Sequence, residues 1–157
     1  YASNSNKNQV NKEIKRLSKV VKREITKSRQ HFLKVTFPDT YRTLIEMDIQ
    51  EDFSLGYASE IGFRASICST FYFYDLDLDT ATQLKITPFM LMDGTLKDYM
   101  RLSPEDSIAK AKKLIDEVKI VNGTFVTLWH NHTINDRNGW KGWKNVYEEI
   151  VAYASAK

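Results

Sequence analysis

The strongest constraint on the fold lies between residues 84 and 154, where apolar runs and amphipathic helices alternate with little chain left over. "LKITPFMLMDGTL" reads as a strand. It is weakened at Pro88, which lacks the N–H a ladder needs, and it is closed by the turn signal Asp93-Gly94. In "LSPED", Ser103 can cap a helix, Pro104 suits its first turn, and Glu105 and Asp106 favour its positive end. Ile108, Ala111, Leu114, Ile115 and Val118 then recur on one helical face. Asn122-Gly123 turns the chain into "TFVTLWH", a second strand. A last helix is predicted from about Trp140 to Ala154, with Trp143, Val146, Tyr147 and Ile150 facing inward.

The earlier chain repeats the theme. Val10, Ile14, Leu17, Val21 and Ile25 keep helical spacing, "TKSRQHFLKVTF" reads as a strand, and "TYRTLIEM" after Pro38-Asp39 reads as a short helix. "DFSLGYA" at 52 to 58 is a short strand entering a glycine-containing loop, and "GFRASICSTFYFYDL" follows as extended, aromatic-rich chain. Strands alternating with helices predict an α/β fold with parallel strands and crossover helices, in one domain spanning 1–157. Functional groups in such folds collect where strands end. His31, Asp52 and His130 each fall at or near such an end.

Composition narrows the class. With 42% hydrophobic and 12% aromatic residues the chain is globular and not disordered. No apolar run reaches the ~18 residues a membrane span requires. The polar start "YASNSNKNQ" lacks the apolar centre of a signal peptide, although the chain begins with Tyr1 and upstream residues could carry a targeting signal; the compartment stays open, with a cytoplasmic location slightly favoured. Cys68 is the only cysteine, which excludes an intrachain disulfide and a multi-cysteine zinc site and makes it a core thiol. Residues 7 to 29 hold nine lysines and arginines against Glu13 and Glu24, a net +7 within a chain of net +3. The helical spacing of the apolar residues puts these charges on a solvated face. No aromatic residue lies on that helix to stack on a base, and no nucleic-acid partner is expected.

The chain also carries "RQH" at 29 to 31, "DFSLGYA", "GFRAS" and "FVTLWHNH" in that order. Together these resemble the later portion of a polysaccharide deacetylase domain, the NodB-homology family or carbohydrate esterase family 4, in a divergent bacterial branch. Leu128-Trp129-His130 matches the family's closing Leu-x-His motif, Arg29 takes the place of its arginine motif, and "DFSLGYA" sits where its aspartate-containing strand is expected. The resemblance implies an incomplete or distorted (β/α) barrel. It also implies a divalent metal, zinc as a rule, that activates water to remove the N-acetyl group of an amino sugar in a polysaccharide or its precursor. The family's aspartate pair is absent from these residues. Its metal-binding "His-Pro-Ser" segment would directly precede "YASN", so the main metal ligands are expected upstream of Tyr1.

Roles for this chain's residues follow from the resemblance. His130 would protonate the leaving amine, since an imidazole titrates near neutrality and a strand holds it in place; the plain alternative is a hydrogen-bonded structural histidine. Arg29 would pair with the missing catalytic aspartate. Arg29 and His31, two apart on one face of a strand, would point the same way, and His31 could replace a metal histidine or be only a polar residue at a strand end. Asp52 could orient His130 or Arg29, or be a solvated carboxylate. Arg64 could contact substrate or form a surface salt bridge, and Trp129 and His132 are assigned to the substrate rim. Phe71, Tyr72, Phe73 and Tyr74 offer either a stacking wall or core, and Trp140, Trp143 and Tyr147 share a spacing that favours core.

These residues offer at most two metal ligands, where catalytic zinc takes three and a water. The 157-residue chain by itself is therefore expected to be inactive. A non-catalytic glycan- or protein-binding module on the same fold is the competing class. Exposed strand edges favour association with a second copy.

Overall fold

The computed structural model describes residues 6–137 and 139–156, so the "YASN" stretch lies outside it. The chain divides into two units. One comprises the residues up to Leu55 with Thr70–Thr87, the other Gly56–Ser69 with Pro88 onward.

The first unit begins with α1, Lys7–Val21, capped by the Asn6 side chain, whose Oδ1 accepts the Gln9 N–H at 3.1 Å. The helix ends where Lys22 turns left-handed at φ 55, so Ile25 lies beyond the stripe that the sequence predicts. None of its residues is buried, and the lysine face is solvated as expected. Strands β1 (Lys27–Ser28), β2 (Glu51–Asp52), β3 (Phe71–Asp75) and β4 (Thr80–Ile86) form one sheet in the order β1-β2-β4-β3. Helix α2, Asp39–Glu46, connects β1 to β2, which is a parallel crossover of the expected kind, and β2 is parallel to β4.

β3 departs from the expected all-parallel pattern, because it pairs antiparallel with β4. Only residues 76–79 join the two, and a parallel connection needs about a dozen residues or more. Asp75 holds that turn. It accepts the Asp77 and Leu78 amides at 3.2 and 3.3 Å and takes Arg42 in a two-pronged pair at 2.6 and 2.7 Å. The Arg42 hydrogen bond holds the Asp75 carboxyl below the usual range. Tyr41, Leu44, Ile49, Leu84 and Ile86 are buried in this unit, with the Tyr41 ring edge-on to Phe73 at 5.0 Å.

The predicted strand over residues 26–37 is a second correction. β1 stops at Ser28, and His31–Leu33 forms a single 3-10 turn with Phe32 and Leu33 at φ 56 and 53. The cause is Ser54, whose hydroxyl takes the Gln30 N–H at 2.8 Å and draws the chain off the ladder.

The second unit contains β5 (Leu91–Met92), a π-helical turn (Thr95–Tyr99), α3 (Pro104–Ile120), β6 (Thr127–Leu128) and α4 (Trp143–Ser155). β5 and β6 are parallel, with Leu91 opposite Thr127 and Met92 opposite Leu128, so α3 is their crossover helix. Ser103 caps α3 as predicted, accepting the Asp106 N–H at 3.0 Å, and Ala111, Leu114, Ile115 and Val118 are buried. They pack with Met90, Leu91, Leu96, Val146 and Ile150, and burying each large aliphatic side chain stabilises by ~1.5–3 kcal/mol.

Trp140 and Trp143 belong to this core, in line with their predicted place, although α4 starts only at Trp143 because Gly142 sits at φ 86. Buried Cys68 packs there too. A Cβ on Gly123 would meet its Sγ at 2.2 Å, so glycine is required. Gly56 answers the same need beside the Phe89 ring, also at 2.2 Å. The fold is thus mixed α/β with parallel strands and helices. Among the described residues no helix is long and apolar enough to cross a membrane.

Candidate active site

The carboxyl ends of β5 and β6 lie side by side because Met92 pairs with Leu128. Asp93 follows one strand directly and His130 lies two residues past the other. Asp93 is fully buried and collects donors from three places. Its Oδ1 accepts the Gly94 N–H at 2.7 Å, and its Oδ2 accepts the His130 N–H at 2.7 Å and the Thr133 hydroxyl at 2.5 Å. His130 Nδ1 lies 2.8 Å from Oδ1 and 3.1 Å from Oδ2.

A carboxylate at Nδ1 puts the ring proton there and leaves Nε2 with its lone pair. The imidazole is 48% exposed, and Nε2 makes no hydrogen bond among the described residues. A buried carboxylate behind a half-exposed histidine is an arrangement that can accept or donate a proton at Nε2 while Asp93 stabilises the imidazolium. Asp93 is the candidate that the sequence reading misses, because in the sequence it is half of a turn signal. Its place at the end of a predicted strand, next to the strand that delivers His130, is the signal that could have found it.

The remaining candidates are distributed as follows. His132 is exposed, its ring centroid 5.5 Å from that of His130 and 6.2 Å from that of Trp140. Trp129 is half-buried, edge-on to Tyr147 at 5.3 Å, with its Nε1–H donated to Thr127 Oγ1 at 3.0 Å. Arg64 donates to the Gly56 carbonyl at 3.1 Å and so holds its own loop.

Arg29, Asp52 and His31 belong to the first unit. Asp52 is not the carboxylate that orients His130, because the Nδ1 partner is Asp93. Fully buried Asp52 accepts the Ser54 N–H at 2.9 Å and the Ser54 hydroxyl at 2.8 Å, so it is not a solvated loop carboxylate either. Burial pushes its carboxyl above the usual range, while Ser54, Ser28 and the Arg29 charge pull the other way. Of the partners considered for Asp52, Arg29 acts on it only through its charge. Arg29 Nε also donates to Phe53 O at 3.3 Å, and its guanidinium lies 5.8 Å from the Phe53 ring centroid. Partial desolvation lowers the Arg29 pKa against the pull of Asp52.

His31 opens the 3-10 turn, exposed and edge-on to Phe32 at 4.3 Å, so the shared strand face expected for Arg29 and His31 does not exist. The alternating aromatics of β3 split, with Phe71 and Phe73 half-buried and Tyr72 and Tyr74 exposed. Among the described residues no three His, Cys, Asp or Glu side chains converge as a metal site needs. Comparison with the models of known families, with curated proteins and with solved structures finds no match.

Proposed function

We propose that this chain carries the proton donor of a metal-dependent hydrolase that removes N-acetyl groups from an amino-sugar polysaccharide or its precursor. In this reading the fold is part of a distorted (β/α) barrel of the NodB-homology type. The observation that supports it best is the Asp93–His130 pair, held at neighbouring strand ends with Nε2 open. Breaking an amide C–N bond requires that the departing nitrogen be protonated, since an amide anion is too basic to leave. The His130 imidazolium delivers that proton from Nε2, and Asp93 at Nδ1 keeps the ring in the productive tautomer. His132 and Trp129 border the donor and contact the sugar, while Arg64 steadies its own loop.

A divalent metal, when bound, supplies the activated water. The described residues do not by themselves fit such an ion. In this reading the proton transfer to the leaving nitrogen is the part carried by His130 and Asp93.

The competing class, a glycan-binding module without chemistry, draws support from the exposed imidazoles of His130 and His132. Expression together with the upstream coding sequence separates the two. Zinc-dependent release of acetate from N-acetylglucosamine oligomers, reduced ~10²–10⁴-fold by His130→Ala, is the expected result. Retained activity in that variant overturns the assignment. An upstream sequence lacking both the aspartate pair and a His-Pro-Ser segment, with no acetate released, leaves the binding module.

A further inference from the structure

We propose that Thr133 is a positioning residue for His130, acting through Asp93. Thr133 is fully buried although its hydroxyl is polar, and that hydroxyl sits 2.5 Å from Asp93 Oδ2 and 2.7 Å from the His130 carbonyl. The Thr133 N–H closes the turn onto the same carbonyl at 3.0 Å. The side chain has one proton to give, and the shorter contact to the carboxylate takes it.

A carboxylate rotates about its terminal bond with little preference between orientations, so its direction is set by its donors. Gly94 holds one oxygen of Asp93, while the His130 N–H and Thr133 hydroxyl hold the other. The first two donors lie on the backbone, and no side-chain exchange short of proline removes them. Thr133 is the side chain that completes the clamp, and with both oxygens fixed the Nδ1 proton of His130 has a defined acceptor at 2.8 Å. Valine has the shape of threonine without the hydroxyl. In Thr133→Val the carboxylate can turn, the acceptor at Nδ1 weakens, and the neutral ring redistributes its proton toward Nε2.

The test is nitrogen-15 NMR of the His130 ring in the 157-residue protein, at a pH where the ring is neutral. The wild type is expected to hold the Nδ1–H tautomer. Thr133→Val should raise the Nε2–H share several-fold, and Thr133→Ser, which restores the hydroxyl, should return it to the wild-type ratio. A merely structural threonine would change stability and leave that ratio alone, so a folded Thr133→Val with the wild-type ratio overturns the proposal. Should the valine variant not fold, the wild type still decides. A Thr133 hydroxyl proton protected from exchange, with a cross-relaxation peak to the His130 amide, is expected, and exchange at the solvent rate sinks the clamp.

Discussion

Asp52 and Asp93 are both fully buried, and each stands where a parallel strand ends, yet they gather their hydrogen bonds differently. Asp52 is satisfied from nearby, by the amide and hydroxyl of Ser54 two residues on, with Ser28 and Arg29 at the margin. Asp93 reaches across the strand pair to His130 and Thr133 as well as to its own neighbour Gly94. Burial alone therefore does not mark a functional carboxylate. A locally satisfied one ends a strand, whereas one that ties two strand ends together can also hold a proton-transfer group in place.

Removing the Asp93 carboxylate should have the largest effect. Asp93→Ala leaves the Gly94 and His130 amides without their partner, while the Thr133 hydroxyl can turn its proton to the His130 carbonyl. At ~1–3 kcal/mol for each unsatisfied amide, urea denaturation should show a loss of roughly 2 kcal/mol or more. Asp93→Asn keeps the shape but offers Nδ1 a poorer acceptor, and on the proposed function it should lower acetate release ~10²–10⁴-fold. His130→Ala is expected to cost as much turnover but less than about 1 kcal/mol of stability, because its ring is half-exposed. A stability loss equal to that of Asp93→Ala would make His130 a structural residue and remove the contrast.

One half of this pair is legible in the sequence and the other is hidden. His130 stands out because an apolar β-rich run ends on an imidazole. Asp93 does not, since aspartate before glycine is an ordinary turn signal and pairing between β5 and β6 is a property of the fold, reached only across α3. The α3 cap and its buried stripe are readable because helix caps and helical periodicity are local. The stretch 26–37 misleads for the opposite reason: Phe32, Leu33, Val35 and Phe37 among charged residues look like a strand, but a hydroxyl 24 positions away takes the Gln30 amide and ends the ladder at Ser28. The antiparallel β3 is legible in principle from the length of its connection to β4, which leaves no room for a crossover helix.

Smaller effects test the Asp52 side of the comparison. The Ser54 hydroxyl donates to Asp52 and accepts the Gln30 amide, so Ser54→Ala should cost about 1–2 kcal/mol, measurable by denaturant titration, without altering the His130 tautomer. A change in that tautomer would mean that the two aspartates are coupled.

Asp52→Asn should have the smallest effect at neutral pH, and its sign is informative. Burial raises the folded-state pKa of Asp52 above its unfolded value, so the native protein binds this proton more tightly than the unfolded chain does. Its contribution to stability is therefore present at acidic pH and is lost as pH rises through the raised folded-state value. An asparagine is neutral throughout and can still accept the Ser54 amide, so the variant should be as stable as the wild type at neutral pH, or more so. The wild type minus variant difference should shift in favour of the wild type on acidification. A difference that moves the opposite way, with Asp52 stabilising most when charged, would show that Ser54, Ser28 and Arg29 outweigh burial. Asp52 would then be a stabilising ion in its own right, and the contrast with Asp93 would rest on the histidine alone.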